Sequence, residues 1–222
     1  MTRGPAPVGG APRTVDVDPG ALARRAADLV RDGRALVGLA GAPGAGKSTL
    51  AGEVLVALEG LGVRAALVPM DGFHLAGREL VRLGRADRKG APDTFDADGF
   101  VALLGRLRAP GQRTVYAPEF RREVEEPVAG AVPVGPDVEV VVTEGNYLLL
   151  DHGPWAGVRA LLDETWFLEV DDALRVERLV ARHVAHGRPR DEARAWVARS
   201  DEANARVVAG TRGRADLVVR GR

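Results

Sequence analysis

The residues that decide the fold are Gly41-Ala42-Pro43-Gly44-Ala45-Gly46-Lys47-Ser48, which match the phosphate-binding pattern G-x-x-x-x-G-K-[ST]. The glycines let the backbone turn its N–H groups toward an anion, and the helix that follows adds its positive N-terminal end. In this pattern the lysine reaches the β- and γ-phosphates and the last hydroxyl binds Mg²⁺. We therefore predict that residues 41–49, Thr49 included, bind a nucleotide, with Lys47 as a catalytic group and Ser48 as a metal ligand.

The sequence on either side of the loop favours a real nucleotide site over a glycine-rich turn without function. Residues 35–40 are an apolar run typical of a buried strand, and residues 49–58 have the composition of a helix. A strand before the loop and a helix after it are the context that this motif requires.

Composition limits the classes of protein that fit. The 222 residues are 45% hydrophobic, enough for one compact domain. Lysine plus arginine and aspartate plus glutamate each number 31, and a net charge of zero gives no support to a nucleic-acid or membrane partner. No apolar run approaches the roughly 20 residues of a membrane span, and no signal-peptide pattern begins the chain. The absence of cysteine excludes disulfides and thiolate sites, and we expect a cytoplasmic protein.

Apolar runs alternate with helical patterns along the chain. We expect a disordered arm over residues 1–18 and a single domain over residues 19–222. Beyond the P-loop helix, the patterns predict helices over residues 78–83, 98–107 (capped by Asp98), 171–186 and 191–208. They also predict strands over residues 63–69, 138–143, 164–170 and 215–219, and a hairpin from the weak strands 114–116 and 127–129. This alternation is typical of an α/β fold with a parallel sheet.

Two acidic residues follow predicted strands, where open α/β sheets bind their ligands. Glu144 follows the strongest strand, and its carboxylate is placed to hold Mg²⁺ beside Ser48; an ordinary loop or capping acid is the alternative. Asp71 follows the strand over residues 63–69 and is placed to take a proton from an acceptor hydroxyl; an Asx-turn is the alternative.

Further polar and aromatic residues are candidates for an acceptor pocket. His74 follows Asp71 closely, and Lys89 is one of only two lysines beside 29 arginines, in a polar loop over residues 84–96. The stretches 93–96 and 116–122 combine charged and aromatic residues, which suits recognition of a hydroxylated small molecule. A solvated loop is the alternative for each of them.

A run of arginines is the candidate for a lid. Arg175, Arg178 and Arg182 share a helical face by their spacing, and a flexible break follows at residues 186–189. A solvated basic face is the alternative. We favour a lid over about residues 175–190 that closes over a nucleotide and lends arginines to the transferring phosphoryl group.

The order and spacing of these segments resemble the phosphoribulokinase/uridine kinase family. The segments that carry the likeness are the P-loop, residues 70–75, 89–96, 116–120 and 144–149, and the helix with Arg178 and Arg182. Within the family the chain looks most like nucleoside/nucleotide kinases or fructose transport system kinases, and bacterial pantothenate kinase is a more distant relative. The resemblance implies a P-loop NTPase three-layer sandwich with a five-stranded parallel core sheet, an acceptor-side hairpin and a helical lid.

The resemblance also implies roles for individual residues. Asp71 corresponds to the catalytic base, Glu144 to the acid near Mg²⁺, and Arg178 and Arg182 to catalytic lid arginines. The residues expected to bind the substrate are His74, Lys89, Asp93, Phe95, Asp96, Tyr116, Glu119, Arg121, Asn146 and Tyr147. Arg121 stands where the subgroup has an aspartate, which suggests that this pocket accepts an anionic substrate.

The expected activity is transfer of the γ-phosphate of ATP, with Mg²⁺, to a hydroxyl of a small metabolite such as a nucleoside, a sugar or a pantothenate-like compound. A non-catalytic ATP-binding regulatory module is the alternative. A GTPase is disfavoured because neither asparagine, Asn146 or Asn204, precedes a lysine, and a nucleic-acid motor is disfavoured by length and charge. Family members are often oligomers, so a homodimer is also an expectation.

Overall fold

The computed structural model describes residues 11–31, 33–109 and 111–221. Within them, eight strands form a six-stranded sheet and a separate two-stranded hairpin. The strands are β1 (Arg13–Asp16), β2 (Ala35–Gly41), β3 (Ala65–Pro69), β4 (Val115–Arg121), β5 (Glu126–Val134), β6 (Val140–Gly145), β7 (Glu164–Glu169) and β8 (Leu217–Arg220).

The large sheet is parallel throughout, with the order β1-β8-β7-β2-β6-β3. The antiparallel pair β4–β5 forms the hairpin, with a register shift between Ala117 and Glu119. Since β2 lies between β7 and β6, the loop after β2 opens at the middle of the carboxyl edge. A parallel sheet binds its ligands at that edge.

Seven α-helices cover the sheet and its carboxyl edge in the described part of the chain. They are α1 (Pro19–Ala27), α2 (Lys47–Gly60), α3 (Gly77–Arg82), α4 (Ala97–Arg108), α5 (Asp172–Ala185), α6 (Arg190–Trp196) and α7 (Glu202–Ala209). A π-helical turn over Val197–Asp201 joins α6 to α7, so residues 190–209 form one continuous helical segment.

The central strand β2 is buried on both faces, and its side chains alternate between two apolar cores. Leu36 and Ala40 pack in the core beneath α4, whereas Val37 and Leu39 pack in the core beneath α1 and α2. This alternation follows from the two-residue period of a strand, and burial on both faces is typical of a parallel sheet. The cores hold the carboxyl ends of the strands, and therefore the residues after them, in fixed positions.

The structure confirms the predicted fold class, including the five predicted parallel strands and the hairpin. Two details are corrected. Residues 13–16 form a sixth, edge strand paired with β8, although the sequence predicts a disordered arm there. The cap of α4 is Asp96, whose carboxylate accepts from the Gly99 N–H at 2.9 Å, and Asp98 lies within the first turn. Residues 1–10 of the predicted arm lie outside the described residues.

None of the helices in the described ranges combines the length and the apolar character that a membrane crossing requires.

Candidate active site

A cavity of about 700 Å³ opens at the carboxyl edge of the sheet. Three of its walls follow β2, β3 and β6, and helical segments from the C-terminal half close the other side. Residues of the predicted nucleotide site (Pro43, Gly44, Gly46, Lys47, Ser48 and Thr49) line it. Within the same loop, Gly41 ends β2 and Ala45 is buried in the core. The fold therefore brings the phosphate-binding loop to one side of a cleft large enough for a nucleotide and a small acceptor.

The loop backbone adopts the conformation that an anion cradle requires. Gly46 caps α2 with a φ of +92° and no side-chain hydrogen bond. The first N–H groups of a helix lack helical partners, so those of α2 are available to a phosphate. Gly44 has a φ of +79°, and a Cβ there would lie 2.7 Å from both the Arg175 carbonyl oxygen and Leu179 Cγ.

Lys47 lies at the floor of the cavity and is 8% exposed. Its ammonium donates to the Ala42 carbonyl at 3.1 Å and to Asn146 Oδ1 at 2.7 Å. Burial lowers the pKa of Lys47, and the negative charges of Glu144 and Asp71 oppose that change. The lysine is therefore held between the loop and the end of β6, where it can reach a bound phosphate.

Ser48 and Glu144 form the oxygen pair that the sequence predicted. Ser48 Oγ donates to Glu144 Oε1 at 2.8 Å, and Glu144 is only 6% exposed. Burial raises the pKa of Glu144, and the nearby charge of Asp71 raises it further, against the influence of Lys47. A buried carboxylate beside a hydroxyl, with a second carboxylate nearby, suits a divalent cation with oxygen ligands.

Asp71 faces the P-loop from the short helical turn Met70–Phe73, which directly follows β3. Gly72 lets the hairpin approach this turn, because a Cβ at Gly72 would lie 2.3 Å from the Pro118 carbonyl oxygen. The negative charge of Asp71 opposes the lowering of the pKa of both Lys47 and Arg182. Asp71 is therefore near both the nucleotide loop and the predicted lid.

The predicted lid helix is α5, and its three arginines have different surroundings. Arg178 and Arg182 line the cavity. Burial lowers the pKa of Arg182, and the positive charge of Arg122 lowers it further. Arg175 is 2% exposed and does not share their face of the cavity. Its guanidinium donates to the Pro43 carbonyl at 3.2 Å and to Glu202 at 2.5 Å, so it fixes the P-loop to α5 and α7.

The part of the cavity around His74 is aromatic and positively charged. The His74 ring stacks on Phe95 at 4.0 Å and packs against Phe120 at 4.9 Å. Burial lowers the pKa of His74 to about 4, so the ring is neutral at pH 7. Lys89 Nζ donates to the Glu125 carbonyl at 2.6 Å and lies 5.0 Å from the centre of the Phe120 ring. Of the predicted substrate residues, His74, Lys89, Phe95 and Asn146 therefore meet in the cavity.

The other predicted substrate residues lie elsewhere, each for a local reason. Asp93 is engaged by Arg88 at 2.9 Å and Arg85 at 3.3 Å, and Asp96 caps α4. The remaining four, which do not line the cavity, are Tyr116 (57% exposed), Glu119 and Arg121 (an ion pair at 2.8 Å) and Tyr147 (buried, its hydroxyl donating to the Gly90 carbonyl).

Sequence reasoning missed a face of the C-terminal helical segment that lines the cavity through Trp196, Asp201 and Asn204. A regular α-helix aligns positions i, i+4 and i+7 on one face. The π-turn takes up one extra residue, so positions i, i+5 and i+8 align instead. Asp201 lies 3.0 Å from His183 Nε2, and Asn204 donates to the Gly90 carbonyl at 3.2 Å. No periodic pattern in the sequence could have grouped these three residues.

This geometry is that of a P-loop kinase, and comparison with known proteins agrees. Residues 36–221 match the profile of the Phosphoribulokinase / Uridine kinase family, and the chain belongs to this family. A candidate uridine kinase of Schizosaccharomyces pombe is 37% identical over 173 residues, which are 75% of this chain and 74% of that protein.

One solved structure and one more distant relative agree with this family assignment. A candidate fructose transport system kinase from Silicibacter sp. TM1040 superposes with a TM-score of 0.84 at 42% identity, over 91% of this chain and 98% of that one. A pantothenate kinase of Limosilactobacillus reuteri is 29% identical over 142 residues, which are 63% of this chain and 46% of that protein. The family expected from the sequence motifs is thereby confirmed.

Proposed function

We propose that this protein transfers the γ-phosphate of ATP to a hydroxyl group of a small metabolite. One observation carries the proposal: the P-loop, the Ser48–Glu144 pair, Asp71 and Arg182 all face a single cavity. Membership of a family whose relatives bear the names of kinases for uridine and pantothenate supports it. Each group has a place in phosphoryl transfer, which depends on positioning and charge stabilisation rather than on covalent chemistry.

The nucleotide half of the site holds the triphosphate. The free N–H groups at the start of α2 and the Lys47 ammonium bind the phosphate oxygens, once Lys47 leaves Asn146 and the Ala42 carbonyl. Ser48 and Glu144 would hold Mg²⁺, which would supply positive charge to neutralise the phosphates. Arg178 and Arg182 face the same space and stabilise the charge of the phosphoryl group in transfer.

Asp71 acts as the general base. As the acceptor oxygen forms its bond to the γ-phosphorus, the bond from that phosphorus to the β–γ bridging oxygen breaks. The hydroxyl proton passes to the Asp71 carboxylate, and ADP carries the leaving oxygen. Asp71 suits this role because it lines the cavity and its charge acts on both Lys47 and Arg182.

The acceptor half limits the acceptor to a small molecule. His74, Phe95 and Phe120 form an aromatic wall, and Lys89 and Asn146 supply polar contacts. A nucleoside, a sugar or a pantothenate-like alcohol fits this combination of flat apolar surface and hydrogen-bonding groups.

The test is a coupled ADP-release assay across nucleosides, sugars, sugar phosphates and hydroxy acids. We expect acceptor-dependent ADP release, lost in Lys47→Ala and reduced at least about 100-fold in Asp71→Asn, which still binds ATP. Asp93→Asn is the matched control, because that carboxylate pairs with Arg88 outside the cavity. ATP binding without any acceptor-dependent turnover would favour a regulatory module, and full activity in Asp71→Asn would refute the assignment of the base.

A further inference from the structure

The tip of the β4–β5 hairpin carries two adjacent arginines, both exposed, of which only one lines the cavity. Arg121 lies outside the cavity and is paired with Glu119 at 2.8 Å. Arg122 lines the cavity. Among the residues that the structure describes, no carboxylate lies within 4.0 Å of the Arg122 guanidinium. A cation that faces a ligand cavity without a protein counter-ion is available to an anionic ligand.

The positive charge of Arg122 acts on two other side chains of the cavity. It is the second cause, after burial, of the lowered pKa of Arg182. Burial lowers the pKa of His74, Asp71 opposes that change, and the charges of Lys89 and Arg122 lower the pKa further. Arg122 on the hairpin therefore lies near Arg182 of α5 on one hand and shares the surroundings of His74 with Lys89 on the other. A bound anion there would relieve their mutual repulsion.

The carboxylates that line this cavity are committed to other groups. Glu125 lies 3.8 Å from Lys89 Nζ, Asp201 lies 3.0 Å from His183, and Glu144 accepts from Ser48. Asp71 faces Lys47 and, under the proposed function, the acceptor hydroxyl. None of these carboxylates pairs with Arg122, which leaves its guanidinium for the ligand.

We propose that the phosphate acceptor is a small hydroxylated anion, and that Arg122, together with Lys89, binds its carboxylate or phosphate group while its hydroxyl faces Asp71. The proposal rests on the proposed kinase function and names its substrate class. Lys89 is suited to this role because an ammonium has three donors and the Glu125 carbonyl takes one of them. Lys89 lies 5.0 Å from the Phe120 ring that packs against His74, and the charge of Arg122 acts on His74, Arg182 and Glu144, so an anion held by these two cations lies beside the proposed site of phosphoryl transfer.

The binding test uses protein loaded with Mg²⁺ and AMP-PNP, so that the nucleotide's own γ-phosphate site is filled. Inorganic phosphate and glycolate are the two probes, added separately and measured by calorimetry against chloride at constant ionic strength. We expect at least one of them to bind, and the one that binds more tightly distinguishes a phosphate from a carboxylate acceptor. Arg122→Gln should weaken that binding by about 10- to 100-fold, the range for hydrogen bonds to charged groups.

Arg121→Gln is the matched control, because it removes the neighbouring arginine of the same hairpin without changing the lining of the cavity. We expect it to leave anion binding within about twofold of the wild type. Circular dichroism and AMP-PNP affinity show whether each variant is folded.

The turnover test compares acceptors that share hydroxyls and differ in charge, such as ribose with ribose 5-phosphate and glycerol with glycerate. We expect the anionic member of a pair to have at least a tenfold higher kcat/KM, and Arg122→Gln to remove most of that preference. Three results would overturn the proposal: equal kcat/KM within each pair, no anion binding to the AMP-PNP-loaded protein, or equal losses in the two arginine variants. If the wild-type protein does not bind AMP-PNP, the kinase function itself is refuted instead.

Discussion

Gly44 gives the most direct test of how the P-loop is supported. Its φ of +79° lies in the left-handed region, and a Cβ would approach the Arg175 carbonyl oxygen and Leu179 Cγ to 2.7 Å. Gly44→Ala therefore combines two costs. The left-handed conformation of a non-glycine residue costs about 1–2 kcal/mol, and the overpacking against α5 costs about 1–3 kcal/mol. We expect a loss of about 2–5 kcal/mol in the free energy of unfolding.

Two further glycines separate these costs. Gly46 has a φ of +92° but only the Arg178 guanidinium nearby, at 3.7 Å, so Gly46→Ala should cost only the conformational part, about 1–2 kcal/mol. Gly52 lies within α2 with nothing within 4 Å of a Cβ, so Gly52→Ala should stabilise the protein by about 0.5–1 kcal/mol.

The assay is urea denaturation followed by circular dichroism, with calorimetric ATP affinity measured on the same preparations. We expect the stability order Gly52→Ala, wild type, Gly46→Ala, Gly44→Ala, and weaker ATP binding in both loop variants but not in Gly52→Ala. Equal losses at Gly44 and Gly46 would show that α5 does not press on the loop, and would refute the packing argument.

Three further predictions concern buried ionisable side chains. Arg175→Met should reduce the free energy of unfolding by about 3 kcal/mol, because it removes the ion pair with Glu202 and the hydrogen bond to the Pro43 carbonyl. A loss under about 1 kcal/mol in urea denaturation would contradict this. The pKa of His74 is about 4 in the folded protein and 6.5 ordinarily, so between these pH values the unfolded chain binds a proton on His74 that the folded protein does not. The free energy of unfolding should therefore fall by about 3 kcal/mol as the pH drops from 6.5 to 4. His74→Phe should flatten this pH dependence, whereas the control His152→Phe, at an exposed site, should not. Glu144→Gln should weaken the Mg²⁺-dependent part of ATP binding at least tenfold and leave Mg²⁺-free binding unchanged; equal Mg²⁺ dependence in calorimetry would remove Glu144 from the metal site.

The nucleotide half of the site could be predicted because its information is local. One contiguous motif specifies the loop, and the strand before it and the helix after it fix where the loop lies. Asp71 and Glu144 could be placed near the loop because parallel strands end at one edge of the sheet. Each of these inferences needs only the period of one element or the rule for one fold class. The edge strand β1 was missed because its four residues are too few to show a period, although Thr14 and Val15 are β-branched.

The acceptor half could not be predicted because its residues meet only through tertiary structure. Successive residues at a hairpin tip point in different directions, so whether Arg121 or Arg122 reaches the cavity depends on the turn, in which Glu125 takes a φ of +55°. In the C-terminal segment a single extra residue in the π-turn decides that Asp201, rather than its neighbour, shares a face with Trp196. Each feature changes the direction of one side chain by a fraction of a turn, and this change is not visible in the composition or the average periodicity of the sequence. They also decide which charges face the cavity, so the charge of the proposed acceptor site depends on the details of chain geometry that sequence patterns specify least.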